Sequence, residues 1–264
     1  MKIKTLGFIG GGRVTRFLLE ALGHSHTLPE KILVSDPNAD TLKTIAGAVP
    51  GKIQTTQDNL VPASADVVFL SVHPPVMPQV LREITSIVRK DTAVVSLAPV
   101  AKLTVLSEGL GGFNRIVRMI PNAPSIIGKG YNPVSFAEGL PATDRDALRQ
   151  WFGVWGESPE VDENKLEAYA IVTAMGPTYF WFQWLELEKV ASGFGLSSDE
   201  VRKALSSMLR GAVDVLYRSG LEPDRVLDLI PVRPLQSHEE AVRSLIDDTL
   251  TDLFQKLTSA RDKK

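Results

Sequence analysis

Cysteine is absent from this 264-residue chain, which excludes disulfides, thiolate nucleophiles, iron–sulfur clusters and Cys-ligated zinc. Histidine is scarce: the four, at positions 24, 26, 73 and 238, show no H-E-x-x-H spacing, so no metal site is expected. A dominant charge sign is also missing, since 29 Lys+Arg against 31 Asp+Glu leave a formal charge of -2. That balance argues against a large cationic surface for nucleic acid or anionic lipid. No uncharged apolar run reaches the ~18 residues that a membrane-spanning helix needs. The opening M-K-I-K-T-L-G-F-I-G-G-G is interrupted by glycines and followed by Arg13 and Arg16, unlike a signal peptide or a span. The expectation is a soluble, cytoplasmic protein without nucleic-acid or membrane partners.

What is present is 44% hydrophobic composition, material for a substantial core, and a length that suits one or two domains at ~150 residues each. Up to about residue 160, β-rich runs alternate with helical patterns. Strands are expected at Ile3–Ile9, Ile32–Ser35, Asp66–Val72, Ala93–Leu97, Arg115–Ile120 and Pro133–Phe136. Continuous runs such as V-V-F-L-S-V suit strands buried on both faces of a parallel sheet. Helical patterns at Val14–Leu22, Asp40–Ala48, Pro75–Val88 and Thr104–Gly109 separate them, which predicts a doubly wound α/β domain. From about Glu163 the period becomes helical, giving Lys165–Ser192, Ser198–Ser219, Pro223–Leu229 and His238–Thr258. Ser197 and Ser198 ahead of Asp199 and Glu200 read as a helix N-cap with acids in the first turn. The acidic stretch near 158–164 is the expected boundary between domains 1–160 and 161–264, and only the R-D-K-K tail reads as disordered.

The first strand runs into Gly10-Gly11-Gly12-Arg13-Val14-Thr15 and then a helix, the context in which G-x-G-x-x-[GA] binds a dinucleotide. Gly10 permits the turn, Gly12 lets backbone approach a pyrophosphate, and the helix start offers free N–H groups. Thr15 departs from the small residue of the sixth position, and a tri-glycine segment read alone is simply a β-turn. Asp36 ends the second strand 24 residues after Gly12, where a carboxylate accepts from an adenosine ribose. It favours NAD over NADP, because unit charges ~4 Å apart cost ~4 kcal/mol at an effective dielectric of 20. Two competing readings stay open: Asp36 caps the turn into the next helix, and Arg13 favours a phosphorylated cofactor. Ser71-Val72-His73-Pro74-Pro75 closes a strand at the carboxyl edge of the expected sheet, where ligands bind. His73 there is either a cofactor contact or an exposed loop residue. Ala98 closes the next strand and is small enough for a nicotinamide ring to lie against backbone.

On these residues the chain resembles the pyrroline-5-carboxylate reductase family, enzymes that reduce a cyclic imine to proline with a nicotinamide cofactor. The resemblance is carried by G-F-I-G-G-G at 7–12, S-V-H-P at 71–74, V-R-M-I-P-N-A-P at 117–124 and G-P-T-Y-F at 176–180, in the same order over almost the whole length. It implies a Rossmann-type doubly wound parallel sheet followed by an all-α domain that mediates dimerisation. It also implies NAD or NADP as cofactor, with contacts at Gly10, Gly11, Gly12, Arg13, Val14, Asp36, Val72, His73, Pro74, Ala98 and Asn122. The departures fall where substrate should sit. The family's S-V-K-P lysine is His73, its S-G-S-G-P turn is Thr173-Ala174-Met175-Gly176-Pro177, and its glycine-rich substrate loop is Asp228–Ser237 without either glycine. In an ungapped alignment the hydroxyl beside the imine is Ser237. Arg233 reads either as a partner for a substrate carboxylate or as a surface arginine.

The resulting expectation is a nicotinamide-dependent reductase of a small cyclic imine, foremost 1-pyrroline-5-carboxylate, with Ser237 or Thr173 bonding to the imine nitrogen or relaying its proton. The altered 228–237 loop keeps two alternatives in view, a reductase of another imino or keto acid and a dinucleotide-binding protein without catalysis. Tyr179, Phe180, Trp181, Phe182 and Trp184 cover more than one face of the first long C-terminal helix, so they are expected to be buried in a domain core or a subunit interface of a homodimer. Pro177 should kink or start that helix.

Overall fold

The structure, a computed structural model, describes residues 1–25 and 28–259; His26, Thr27 and residues 260–264, including the R-D-K-K tail, lie outside the described residues. Among the described residues, nine strands alternate with helices up to residue 157: β1 (Thr5–Ile9), α1 (Arg13–Gly23), β2 (Lys31–Ser35), α2 (Ala39–Ala46), β3 (Ile53–Thr56), α3 (Leu60–Ala63), β4 (Val67–Leu70), α4 (Met77–Ile84), β5 (Ala93–Ser96), α5 (Leu103–Gly109), β6 (Ile116–Met119), β7 (Gly130–Tyr131), β8 (Val134–Phe136), α6 (Ala142–Phe152) and β9 (Gly156–Glu157). The seven-stranded sheet has the order β3-β2-β1-β4-β5-β6-β8, parallel except for β8, which pairs antiparallel with β6. This is the Rossmann arrangement, with its topological switch point between β1 and β4.

Alternation along the strands builds two cores. Leu6, Phe8, Ile32, Val34 and Phe69 point to the face covered by Leu18 and Leu22 of α1 and Phe152 of α6. Ile9, Val68, Leu70 and Val94 point to the face covered by Val80, Leu81 and Ile84 of α4 and Leu106 of α5. Phe8 and Phe69 stack at 4.6 Å between centroids, and the buried Trp155 donates its indole N–H to the Leu18 carbonyl at 2.9 Å. Burial on both faces explains why β1, β4 and β5 read as continuous apolar runs.

The chain divides into two compact units, Met1–Met175 with the segment from Phe254 onward, and Gly176–Leu253. After α7 (Leu166–Tyr169) the first unit ends in a π-helical stretch, Ala170–Met175. The second unit contains α8 (Gly176–Gly193), α9 (Ser198–Arg218), α10 (Pro223–Leu227) and most of α11 (Glu239–Ser259). Ser197 caps α9 with a full capping box, accepting from the Glu200 amide while Glu200 accepts from the Ser197 amide. Pro177 sits in the first turn of α8, where its missing N–H is tolerated. Burial of the aromatic cluster in a domain core is not what the chain does: Phe180, Trp181, Phe182 and Trp184 are exposed, Phe182 at 65%. The aromatic run is spread over more than one face of α8 while the chain packs α9 beside it, so much of that apolar surface stays exposed.

Candidate active site

The loop after β1 is shaped by contacts that only glycine permits. Gly10 has φ +99°, and a Cβ there would lie 2.6 Å from the Ser71 carbonyl at the end of β4. Its amide donates to the Ser35 carbonyl at 2.8 Å, so the turn is fastened across β1, β2 and β4 at the switch point. Gly12 differs: a Cβ there would meet nothing within 4 Å, and it starts α1 with no side-chain cap. The first-turn amides of α1 therefore face open space with a positive dipole end behind them. Thr15, the unexpected sixth residue, is fully buried and donates its hydroxyl to the Gly10 carbonyl at 2.6 Å, so it tightens the turn from inside.

Asp36 is half-buried just beyond β2. Its Oδ2 accepts from the Gly11 amide at 2.8 Å and its Oδ1 from the Asn38 amide at 2.8 Å. The second bond is the Asx turn that the capping reading expects, and the first ties the carboxylate to the glycine loop. Arg13 is exposed and Val14 partly exposed on the first turn of α1. Val72 borders Gly10, its Cγ1 3.3 Å from where a Cβ on Gly10 would lie. His73 and Pro74 follow at the surface, where the His73 carbonyl accepts from Val76 at 3.0 Å. Ser71 Oγ, just past the end of β4, is buried without a hydrogen-bond partner, a polar atom that no sequence pattern marks. Ala98 is buried at the end of β5, beside β4.

Asn122 and Thr173 are joined. Pro177 has no N–H to give the Thr173 carbonyl four residues earlier, and Asn122 Nδ2 donates to that carbonyl at 3.3 Å instead. Asn122 Oδ1 accepts from the Tyr131 amide at 3.1 Å. The Thr173 hydroxyl donates to Tyr169 O at 2.8 Å, which leaves its oxygen lone pairs to accept. Thr173 lies in the π-helical stretch, a conformation that is rare and recurs at functional sites. Ser237, by contrast, is exposed in a 3-10 turn, Gln236–His238, of the second unit, and Arg233 in the same loop is ion-paired with Glu239.

Sequence reasoning gave no role to Arg118. It is fully buried on β6, with Nη1 on Glu163 at 2.9 Å, Nη2 on Glu167 at 2.8 Å, and Nη2 also on the Pro99 carbonyl. Burial lowers its pKa from the ordinary guanidinium value, and Glu163 opposes that shift through its hydrogen bond and its charge. The node connects the β5 and β6 ends to α7 and thence to Thr173. Its only local sign is an arginine amid the apolar residues of V-R-M-I.

The positive-φ Gly10, the open face of Gly12 and the orphaned Ser71 hydroxyl all fit a dinucleotide laid across the switch point. Among the described residues no cluster could hold a metal ion, and no helix is long and apolar enough to cross a membrane. A family model described as "NADP oxidoreductase coenzyme F420-dependent" matches residues 5–99. The pyrroline-5-carboxylate reductase of Pisum sativum is 28% identical over 227 residues, covering 85% of this chain and 81% of the relative. The structure of a Coxiella burnetii pyrroline-5-carboxylate reductase is similar at TM-score 0.70 with 26% identity, covering 100% of this chain and 97% of the other. A Plasmodium falciparum pyrroline carboxylate reductase with NADP bound shares the fold at TM-score 0.75 with 19% identity, covering 98% and 95%.

Fold and cleft together define a nicotinamide-dinucleotide-dependent oxidoreductase. Within that class the similarity runs past the dinucleotide domain and through the helical third, and there it is to pyrroline-5-carboxylate reductases.

Proposed function

We propose that this protein reduces 1-pyrroline-5-carboxylate to proline with a reduced nicotinamide dinucleotide. The observation that carries the reading is the coincidence of an open Gly12 face at the switch point with relatedness to these reductases over the full chain length. The bound nicotinamide would supply the hydride. In this reading the amides of Gly11, Gly12, Arg13 and Val14 take the diphosphate, Asp36 takes the adenosine ribose, and Val72, His73 and Pro74 line the path toward the nicotinamide. Ala98 leaves room for the ring, and Asn122 fixes the backbone at Thr173. Because the Thr173 hydroxyl proton is committed to Tyr169, its oxygen can accept from a protonated imine nitrogen, holding the electrophile in its reactive charge state. In the ungapped family alignment Ser237 is the alternative hydroxyl for this role. The chemistry asked of the chain is orientation and exclusion of water.

The test follows loss of the reduced nicotinamide's near-ultraviolet absorbance with 1-pyrroline-5-carboxylate, alongside a panel of imino and keto acids. Turnover of the pyrroline is expected, with Thr173→Val or Ser237→Ala lowering kcat by about 100-fold while dinucleotide affinity holds. Oxidation with another acid alone would replace the substrate, an outcome for which the loop Asp228–Ser237, with Ile230, Val232 and Leu235 exposed, gives specific reason.

A cytoplasmic homodimer joined through the C-terminal helices completes the proposal. Phe180, Trp181, Phe182, Leu185 and Tyr217 form exposed apolar surface on α8 and α9 of a kind that soluble monomers rarely leave uncovered. Light scattering at micromolar concentration should give at least twice the 28.8 kDa chain mass, and a monomer mass there contradicts the assembly.

A further inference from the structure

We propose that Asp36 makes this chain select the dinucleotide without a 2′-phosphate, NADH over NADPH. The inference rests on the dinucleotide reading of the cleft and adds a specificity to it. The carboxylate has no freedom to retreat, because one oxygen is held by the Gly11 amide and the other by the Asn38 amide, each at 2.8 Å. The Gly11 bond places the negative charge on the glycine loop itself, 25 residues away in sequence. Each oxygen keeps a lone pair for a ribose hydroxyl, and a 2′,3′-diol offers two donors to such an acceptor-only group. A 2′-phosphate offers acceptors and negative charge to the same place, so it meets repulsion where the diol meets hydrogen bonds.

The groove beside the turn points the same way. A cavity of about 380 Å³ is bordered by Gly12, Arg13, Arg16, Asn38, Asp40 and Thr41. Of its two cations, Arg16 is paired with Glu20 at 2.8 Å, and the carboxylate at the rim, Asp40, is paired with Lys43 at 3.1 Å. Among the described residues that line the groove, Arg13 is left as the cation for a phosphate, exposed to solvent where screening weakens it.

The experiment is a calorimetric titration of the full-length protein with NADH and, separately, NADPH, at low ionic strength, repeated for Asp36→Ser, Asp36→Asn and Arg13→Gln. NADH is expected to bind at least about tenfold more tightly. Asp36→Ser and Asp36→Asn are expected to shrink the ratio at least about fivefold, and Arg13→Gln to leave the preference for NADH in place. Asp36→Asn retains a carbonyl for one turn amide while removing the charge, and the wild-type ratio is decisive on its own if either variant fails to fold. Equal or tighter NADPH binding by the wild type, or a ratio unmoved in both Asp36 variants, overturns the proposal and leaves Asp36 as a turn cap only. Absence of binding by either dinucleotide removes the cleft and this proposal together. Tight NADH binding without turnover of 1-pyrroline-5-carboxylate sinks the substrate reading and leaves the selectivity standing.

Discussion

Gly12→Ala melts within about 2 °C of the wild type yet loses at least about 100-fold in dinucleotide affinity, a difference of about 2.7 kcal/mol. The two halves of this result have separate causes. In the folded chain nothing lies within 4 Å of the added methyl, and the backbone at φ -65°, ψ -171° is open to alanine. The lower entropy of the unfolded alanine chain offsets a slightly poorer N-cap. Only a ligand approaching the main chain needs that space, so the loss appears on binding alone. Gly10→Ala is the counterpart: φ +99° and the Ser71 carbonyl at 2.6 Å impose strain of about 1–3 kcal/mol, so it should lower the melting temperature as well as binding. Thermal melts paired with calorimetry separate the two, and a Gly12→Ala protein that binds normally would falsify the phosphate grip at α1.

The glycine loop and the central strands were legible because their causes are local. V-V-F-L and A-V-V-S are buried on both faces, and the strand–turn–helix context gives three glycines meaning. β3 escaped because Ile53-Gln54-Thr55-Thr56 is an edge strand only partly buried, without the apolar run that marks its neighbours. α6 escaped because Thr143, Asp144, Arg145, Asp146, Arg149 and Gln150 outnumber the buried Leu148 and Phe152, leaving a narrow apolar stripe. The aromatic run on α8 was legible as covering more than one helical face, but its expected burial in a domain core did not follow, because a helical pattern does not say what packs against it. Asp36 was legible as a carboxylate ending the second strand, whereas its clamp on Gly11 depends on a fold that brings residues 11 and 36 together. The π-helical stretch left one trace, Pro177, whose missing N–H frees the Thr173 carbonyl; the acceptor's new donor, Asn122, is 51 residues away.

Such distance is greatest in effect at Arg118, whose partners Glu163 and Glu167 lie 45 and 49 residues on. Arg118→Met should destabilise the protein by about 3–5 kcal/mol, because Glu167, itself fully buried, loses the guanidinium that compensates its charge. For a chain of this size that corresponds to a fall in melting temperature of roughly 6–20 °C. The pair's attraction is not what sets this cost; the desolvation of the residue left behind is. A double variant, Arg118→Met with Glu167→Leu, should therefore be more stable than the sum of the two singles by at least about 1 kcal/mol, since it buries no charge at either position. Function need not recover with it. Arg118 also holds the Pro99 carbonyl, next to Ala98, and through Glu167 it holds α7, which leads directly into the stretch carrying Thr173. The double variant should then fold and bind dinucleotide while turning over more slowly, separating the node's contribution to stability from its positioning of the cleft walls. Additive single-variant costs, or a double variant with wild-type kcat, would show that the node only fills space.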